Sequence, residues 1–507
     1  MRELPPIAWS TLCALALCKA ALHLPSNGPL AYGLMTDELY YLDCARHLAW
    51  GYVDHPPLSI ALLRASIELF GTSEQVIRSG VVLATTATLV LAGLMAREMG
   101  GGRIAQSLAA GVVLASPVHL SMGGFYSMNP IDMALWAGAF WLLIRLANGA
   151  DRELWLALGV VLGLCMQNKL SALFLGAGLA SGLIFTPQRR LLATRWPWLA
   201  LAIALAMQAP QLIWQLQYGW PTAEFLAHHA GAKELVRTSP LAFLGSQLVA
   251  TGVPLWLVGL AYLALSRRTA ELRHLAWTVA VVVALFALSG SAKIYYPAPV
   301  YSVAFAAAGV AFERARERRA LRWAPAVAAA ALAISGAVLA PFVITLLSPE
   351  RLVDYQRRLG LAEVTVDETE RAPLHQGFAQ MFHGRAVAQA VALAYHALPP
   401  HERERVVILT HQFGETGGIN HYGPALGLPR AVGTQGSYWL WGPGERRGDL
   451  VLEVADDAEE LASRCESVAR AAPIDCPYCM PSLTRKSIYL CRGADLRAAW
   501  PLLKRYE

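Results

Sequence analysis

The stretch SGVVLATTATLVLAGLMAR, residues 79–97, decides the fold class. Between Arg78 and Arg97 it carries no charge, and at 1.5 Å of rise per helical residue it reaches across a hydrocarbon core of about 30 Å. Runs of the same kind occupy roughly 7–25, 104–121, 129–147, 154–167, 170–186, 197–217, 240–265, 275–290, 298–313 and 323–347, so about eleven transmembrane helices are expected. Asn168 and Lys169 interrupt the apolar stretch 154–186, which also fits a re-entrant hairpin and would then change the parity. Composition agrees with a polytopic membrane protein. Of the 507 residues, 55% are hydrophobic and 15% charged, which excludes a wholly soluble enzyme and a disordered chain.

Basic residues orient the spans, because Lys and Arg are retained on the cytoplasmic side. Arg97 and Arg103, Arg145 and Arg152, Arg189, Arg190 and Arg195, Arg267, Arg268 and Arg273, and the cluster Arg314, Arg316, Arg318, Arg319 and Arg322 fall in alternate loops. The net charge of +6 therefore reads as topology, and no nucleic-acid partner is expected. The N-terminus is placed in the cytoplasm, with its first run an uncleaved span because no A-x-A cleavage site follows it. An odd number of spans sends everything after Leu347 to the other face.

From about 350 the long apolar runs stop and charges become frequent. Val406-Val407-Ile408-Leu409 reads as a buried strand, and 384–398 and 456–471 read as amphipathic helices. The expected organisation is a membrane domain over 1–347, with external loops 26–78 and 218–239, followed by a soluble α/β domain over 348–507. Residues 58–70, inside the first loop, have the pattern of a helix lying along the interface.

Chemistry is sought in those two loops. Thr36-Asp37-Glu38-Leu39-Tyr40-Tyr41 places two carboxylates side by side, and neighbours on a helix point about 100° apart, so they do not form a stacked dyad. Two readings stand: a lone general base that takes a hydroxyl proton, or first-turn acids of a helix capped by Thr36. Further on, Gly51-Tyr52-Val53-Asp54-His55-Pro56-Pro57-Leu58 fixes the backbone around His55, either to aim its ring at a phosphate or merely to open the next helix.

These two stretches in one loop, Asp37-Glu38 and Asp54-His55-Pro56-Pro57-Leu58, followed by Arg78, resemble the C-type glycosyltransferase superfamily, in the branch of the protein O-mannosyltransferases and the lipid A aminoarabinose transferases. Tyr126-Ser127-Met128-Asn129-Pro130-Ile131-Asp132, the Asn168-Lys169 break and Lys293-Ile294-Tyr295-Tyr296-Pro297 support it. The resemblance covers the membrane half. It implies Asp37 as catalytic base and Glu38, Tyr40, Asp54, His55, Arg78, Asp132, Lys169, Lys293 and Tyr296 as substrate-binding residues. His55 departs from the aminoarabinose transferases, which carry a Lys before the paired prolines, so Arg78, Lys169 and Lys293 become the candidates to neutralise a donor phosphate. Taken alone, these cations equally fit side chains reaching to the interface.

The function this implies is an integral-membrane, inverting glycosyltransferase of the bacterial inner membrane, moving a sugar from a polyprenyl-phosphate donor to a lipid, glycan or protein hydroxyl on the periplasmic face. No cofactor and no metal are assigned; His228-His229 reads as solvated loop, because adjacent His side chains diverge on a helix. A transporter or flippase of lipid-linked sugars is the first alternative, disfavoured because the polar clusters sit at span ends and not near the membrane centre. A non-catalytic adaptor is the second.

Cys13, Cys18, Cys44 and Cys165 read as packing residues. Cys465, Cys476, Cys479 and Cys491 lie together in the expected external domain, where two disulfides are favoured over structural zinc, with three pairings open. Gly414–Gly423 is glycine-rich but lacks the spacing of a nucleotide-binding loop, and Tyr438, Trp439 and Trp441 fit either sugar stacking or core.

Overall fold

The structure is a computed structural model that describes residues 4–232, 238–290, 292–361, 364–366 and 370–506. Each apolar run read above contains a helix. Helix α1 is Trp9–Ser26; α2, Thr36–Arg46, and α3, Leu58–Phe70, occupy the first loop. The bundle continues with α4 Glu74–Glu98, α5 Arg103–Ala115 and its short extension α6 Pro117–Ser121, α7 Met128–Ala147, α8 Leu154–Asn168, α9 Ala172–Ile184 and α10 Trp196–Gln217. Then come α11 Pro221–Ala232, α12 Pro240–Thr251, α13 Leu255–Leu265, α14 Arg273–Ser289, α15 Ala298–Ala315 and α16 Ala324–Leu339.

Among the described residues, five helical stretches are long and apolar enough to cross a membrane: those containing α4, α7, α10, α14 and α16. The bent pair α12 and α13 makes a sixth. Residues 240–265 are therefore not the single straight span expected. The chain turns by 109° between α12 and α13, where Gly252 adopts φ +71° and Pro254 removes a backbone donor. At the Asn168-Lys169 break, α8 lies mainly along α10 and α9 along α14, with little contact between α8 and α9.

Small residues let the helices approach. Helix α15 sits at the centre against α4, α5, α7 and α13. Gly259 of α13 has no room for a Cβ against the Ala304 carbonyl, nor has Gly309 of α15 against that of Ala105. Such close backbone approach is how helices associate where apolar burial gives little driving force. Trp136, Phe140, Tyr301 and Phe305 fill the remaining space.

After α17, Pro349–Arg358, a hairpin of β1 Val364–Val366 and β2 Glu370–Ala372 leads to α18, Gln376–Ala397, and the short α19, Pro400–Arg403. A mixed five-stranded sheet follows, in the order β4-β3-β5-β7-β6. Its strands are β3 Val407–Thr410, β4 Val432–Gly433, β5 Leu450–Ala455, β6 Ser467–Pro473 and β7 Ser487–Arg492. Strands β3, β4 and β5 are parallel; β7 runs antiparallel to both of its neighbours, β5 and β6. The helix expected over 456–471 is a correction: only Glu459–Ala462 is helical, and Ser467–Pro473 pairs with β7 as an edge strand instead. Its alternating apolar residues fit either period over so short a run.

The glycine-rich stretch is not a loop. It forms α20, Phe413–Tyr422, wedged between α2 and α18. A Cβ at Gly414 would strike Thr36, at Gly417 the backbone of Leu39, and at Gly418 the Cα of Gly384. The glycines buy proximity between the C-terminal segment and α2, and α2 carries Asp37.

Candidate active site

Glu38, deeply buried, ties α2 to the bundle. Its carboxylate accepts from Arg78 through Nε at 2.8 Å and Nη2 at 2.7 Å, from Met35 N at 2.8 Å and from Tyr126 N at 2.6 Å. Arg78 also donates to the Gly33 carbonyl at 2.8 Å. Both side chains are 0% exposed. Arg78, expected to neutralise a donor phosphate, is held inside the fold by Glu38, with its Nη1 left without a hydrogen-bond partner. Thr36 does not cap α2; Met35 holds the cap position and Glu38 reaches back to its backbone.

His55 is likewise closed off. Its ring lies among Tyr40, Tyr41 and Tyr52, with centroids 5.9, 5.2 and 4.8 Å away, and it is 0% exposed. Nδ1 meets the Pro56 carbonyl at 3.0 Å, which leaves the buried Nε2 without a hydrogen-bond partner, 3.9 Å from Asp54 Oδ1. His55, expected to face a phosphate, is therefore enclosed by three tyrosines, with Nε2 its unpartnered polar atom. Tyr40 donates to Asp54 Oδ1 at 2.8 Å and stands 2.8 Å from the Ser437 hydroxyl, joining α2, the proline loop and the C-terminal segment.

Asp37 differs from its neighbour in every respect. It is partly exposed, and among the described residues its carboxylate has no side-chain hydrogen bond and no ion pair within 4.0 Å. Desolvation raises its carboxyl above the ordinary aspartate range; the Lys293 ammonium draws it back, and Asp54 and Glu38 add to the rise. Lys293 is exposed, in the segment leading to α15. The Asp37 charge also adds to the upward shifts of Tyr295 and Tyr296, so this segment lies near the start of α2.

Lys169 reaches the same segment from the break between α8 and α9. Its Nζ donates to Asn129 Oδ1 at 2.6 Å and lies 4.6 Å from the centroid of the Tyr296 ring and 5.9 Å from that of Tyr295. The α8–α9 break is thereby explained as a device that presents a cation from mid-chain. Asp132 is not free to contact substrate: its two oxygens accept from Trp136 Nε1 at 3.0 Å and Ser171 Oγ at 2.6 Å, and the residue is buried. Its charge acts on Lys169 from below. Lys293 is thus near Asp37 on one side and Lys169 on the other, with Tyr296 against Lys169, whereas Glu38, Arg78, His55 and Asp132 are buried.

Sequence reading missed Asp43. Buried in α2, it accepts from Arg46 Nη1, Asn420 Nδ2 and the Tyr438 hydroxyl, each at 2.7 Å. Those partners lie in three different segments, and only the i,i+3 spacing to Arg46 is visible locally. Tyr438 is core, Trp439 donates to the Trp500 carbonyl at 3.0 Å, and Trp441 stacks on His47 at 4.2 Å. The four outer cysteines form the pairs Cys465–Cys491 and Cys476–Cys479. His228 Nδ1 lies 2.9 Å from the Glu224 carbonyl; the His229 side chain and residues 233–237 of the second loop fall outside the described residues.

Residues 54–214 match the family model described as dolichyl-phosphate-mannose-protein mannosyltransferase. ArnT of Cupriavidus metallidurans superposes over nearly the whole chain. Its apo form has a TM-score of 0.61 at 15% identity, covering 96% of this chain and 98% of that one. Its form bound to undecaprenyl phosphate has a TM-score of 0.59, covering 94% and 97%. The chain thus shares the fold of ArnT over nearly its whole length, and its residues 54–214 carry the match to the mannosyltransferase family model. A lipid A galacturonosyltransferase of Rhizobium johnstonii is 29% identical over 190 residues. The match spans 37% of this chain and 40% of that relative's length. The archaeal oligosaccharyltransferase AglB of Archaeoglobus fulgidus shares the fold more distantly, with a TM-score of 0.51 at 14% identity over 88% and 69% of the two chains. The family model covers Asp54, His55, Arg78, Asp132 and Lys169, and leaves Asp37 and Lys293 outside its bounds.

Proposed function

We propose that this chain is an inverting glycosyltransferase that moves a sugar from a polyprenyl-phosphate donor to an acceptor hydroxyl at the periplasmic face of a bacterial inner membrane. The observation that carries this reading is the partly exposed Asp37 carboxylate, free of side-chain hydrogen bonds, near Lys293, with Lys169 reaching the Lys293 segment at Tyr296. A base and fixed cations are what this reaction requires, because the donor arrives already activated at its anomeric carbon.

In the proposed step Asp37 takes the proton of the acceptor hydroxyl as its oxygen attacks the anomeric carbon. The bond from that carbon to the phosphate oxygen breaks, its electron pair leaves with the lipid phosphate, and the configuration inverts. Lys293 and Lys169 stabilise the growing phosphate charge, an effect strengthened where water is partly excluded. Desolvation raises the Asp37 carboxyl and makes it a stronger base than a solvated aspartate, while the Lys293 charge opposes part of that rise. Glu38 and Arg78 hold the start of α2 so that Asp37 is presented, while Asp132 sets the Lys169 ammonium in place.

The spans not long enough by themselves to cross a membrane, such as α8 and α9, are read as completing an eleven-span bundle, with residues 348–507 as an external domain over the site. The acceptor is a lipid, an envelope glycan or a protein. The test is transfer by the purified protein from a panel of radiolabelled polyprenyl-phosphate sugars into membrane extract. Product from wild type and none from Asp37→Asn supports the reading. Full activity in a folded Asp37→Asn protein, or uptake of lipid-linked sugar by proteoliposomes with no glycosidic product, refutes it.

A further inference from the structure

The bundle carries a second feature at the end remote from Asp37. Arg78 marks the site end of α4, and the 25 residues of that helix carry the chain about 37 Å to Glu98, after which Arg103 begins α5. There a groove of about 760 Å³ runs over α5 between α1 and α16. Its floor is Leu108, Gly111 and Leu114 of α5, and its walls include Leu15 of α1 and Leu332 of α16. Beyond it the helices meet, with Gly336 of α16 against Ala115 of α5, so the groove is closed at its apolar end.

The other end is basic. Arg103, Arg316 and Arg322 line it together, and all three are exposed. Among the described residues none of the three has a carboxylate within 4.0 Å. Arg103 touches only the Thr11 hydroxyl, at 3.2 Å, and Arg322 lies over the Trp323 ring, 5.3 Å from its centroid. Three unpaired guanidinium groups at one end of an apolar trough closed at the other have the polarity of a single amphipathic anion: phosphate at the arginines, acyl chain along α5.

We propose that this groove binds one anionic phospholipid, held by Arg103, Arg316 and Arg322 through its phosphate and by the α1–α5–α16 trough through an acyl chain. Guanidinium forks match phosphate oxygens, and basic residues near a charged leaflet gain from anionic headgroups. The site is separate from the glycosyl-transfer reading and stands whether or not that reading holds. Gly111 sits on the floor with open space where a Cβ would stand, so a larger side chain there extends into the trough.

The experiment is native mass spectrometry of the full-length, detergent-solubilised protein titrated with phosphatidylglycerol or with phosphatidylcholine bearing the same acyl chains. Wild type is expected to retain one phosphatidylglycerol at least about tenfold better than phosphatidylcholine. The triple variant Arg103→Gln, Arg316→Gln, Arg322→Gln should lose that preference, and Gly111→Phe, which keeps all three charges, should lose retention of the bound lipid. Equal retention of the two lipids by wild type overturns the proposal. So does a preference that survives both variants, each shown by its size-exclusion profile to be folded.

Discussion

Asp37 and Glu38 are adjacent in sequence, share a helix and have opposite surroundings. Glu38 is enclosed, with four hydrogen bonds from Arg78, Met35 and Tyr126. Asp37 is partly exposed, with the Lys293 charge nearby and, among the described residues, no side-chain hydrogen bond. The same division runs further: Glu38 and Asp132 have both carboxylate oxygens hydrogen-bonded, whereas Lys293 is exposed. A buried charge with every oxygen occupied positions the chain; one left unmatched at the surface of a cleft is available for chemistry.

The comparison is broken most severely at Asp37. Asp37→Asn should reduce transfer by about 10²–10⁴-fold, the range for loss of a general base, with a melting temperature close to wild type. Glu38→Gln should do the reverse in kind: it leaves Arg78 buried and uncompensated, at a cost of about 3–5 kcal/mol of stability, read by thermal melting in detergent. Its activity should fall only as the folded fraction falls. Lys293→Met should lower turnover by about 10²-fold, the size of losing one group that stabilises developing charge. Opening the Cys465–Cys491 pair by double substitution to Ser should cost about 2–4 kcal/mol of the C-terminal segment's stability and leave turnover near wild type.

The smallest effect sharpens the comparison through pH. Asp37 acts as base only when ionised, so activity should rise with pH through its raised pKa. Lys293 lowers that pKa, and removing it raises the pKa further. The acid limb of the pH–rate profile should accordingly move to higher pH in Lys293→Met. A limb that stays in place would separate Lys293 from Asp37.

Much of this arrangement was legible in the sequence. Apolar runs located the helices because membrane length leaves little choice, and the Asn168-Lys169 break was visible as polar residues inside one such run. The bend at Gly252–Pro254 was written in two residues but masked by the apolar run around them. Asp37 stood out only beside Asp54-His55-Pro56-Pro57. The division of labour between Asp37 and Glu38 was not legible, because it depends on Arg78 and Tyr126, 40 and 88 residues away from Glu38. Nor was the role of the glycines in α20, whose partner Leu39 is distant in sequence.

The most direct test is to purify Asp37→Asn and Glu38→Gln side by side and measure, for each, the rate of sugar transfer per folded molecule and the melting temperature. The account predicts a dead but stable Asp37→Asn and an unstable Glu38→Gln that retains most of its turnover per folded molecule. A stable, inactive Glu38→Gln beside an active Asp37→Asn would contradict it and assign the chemistry to the buried carboxylate.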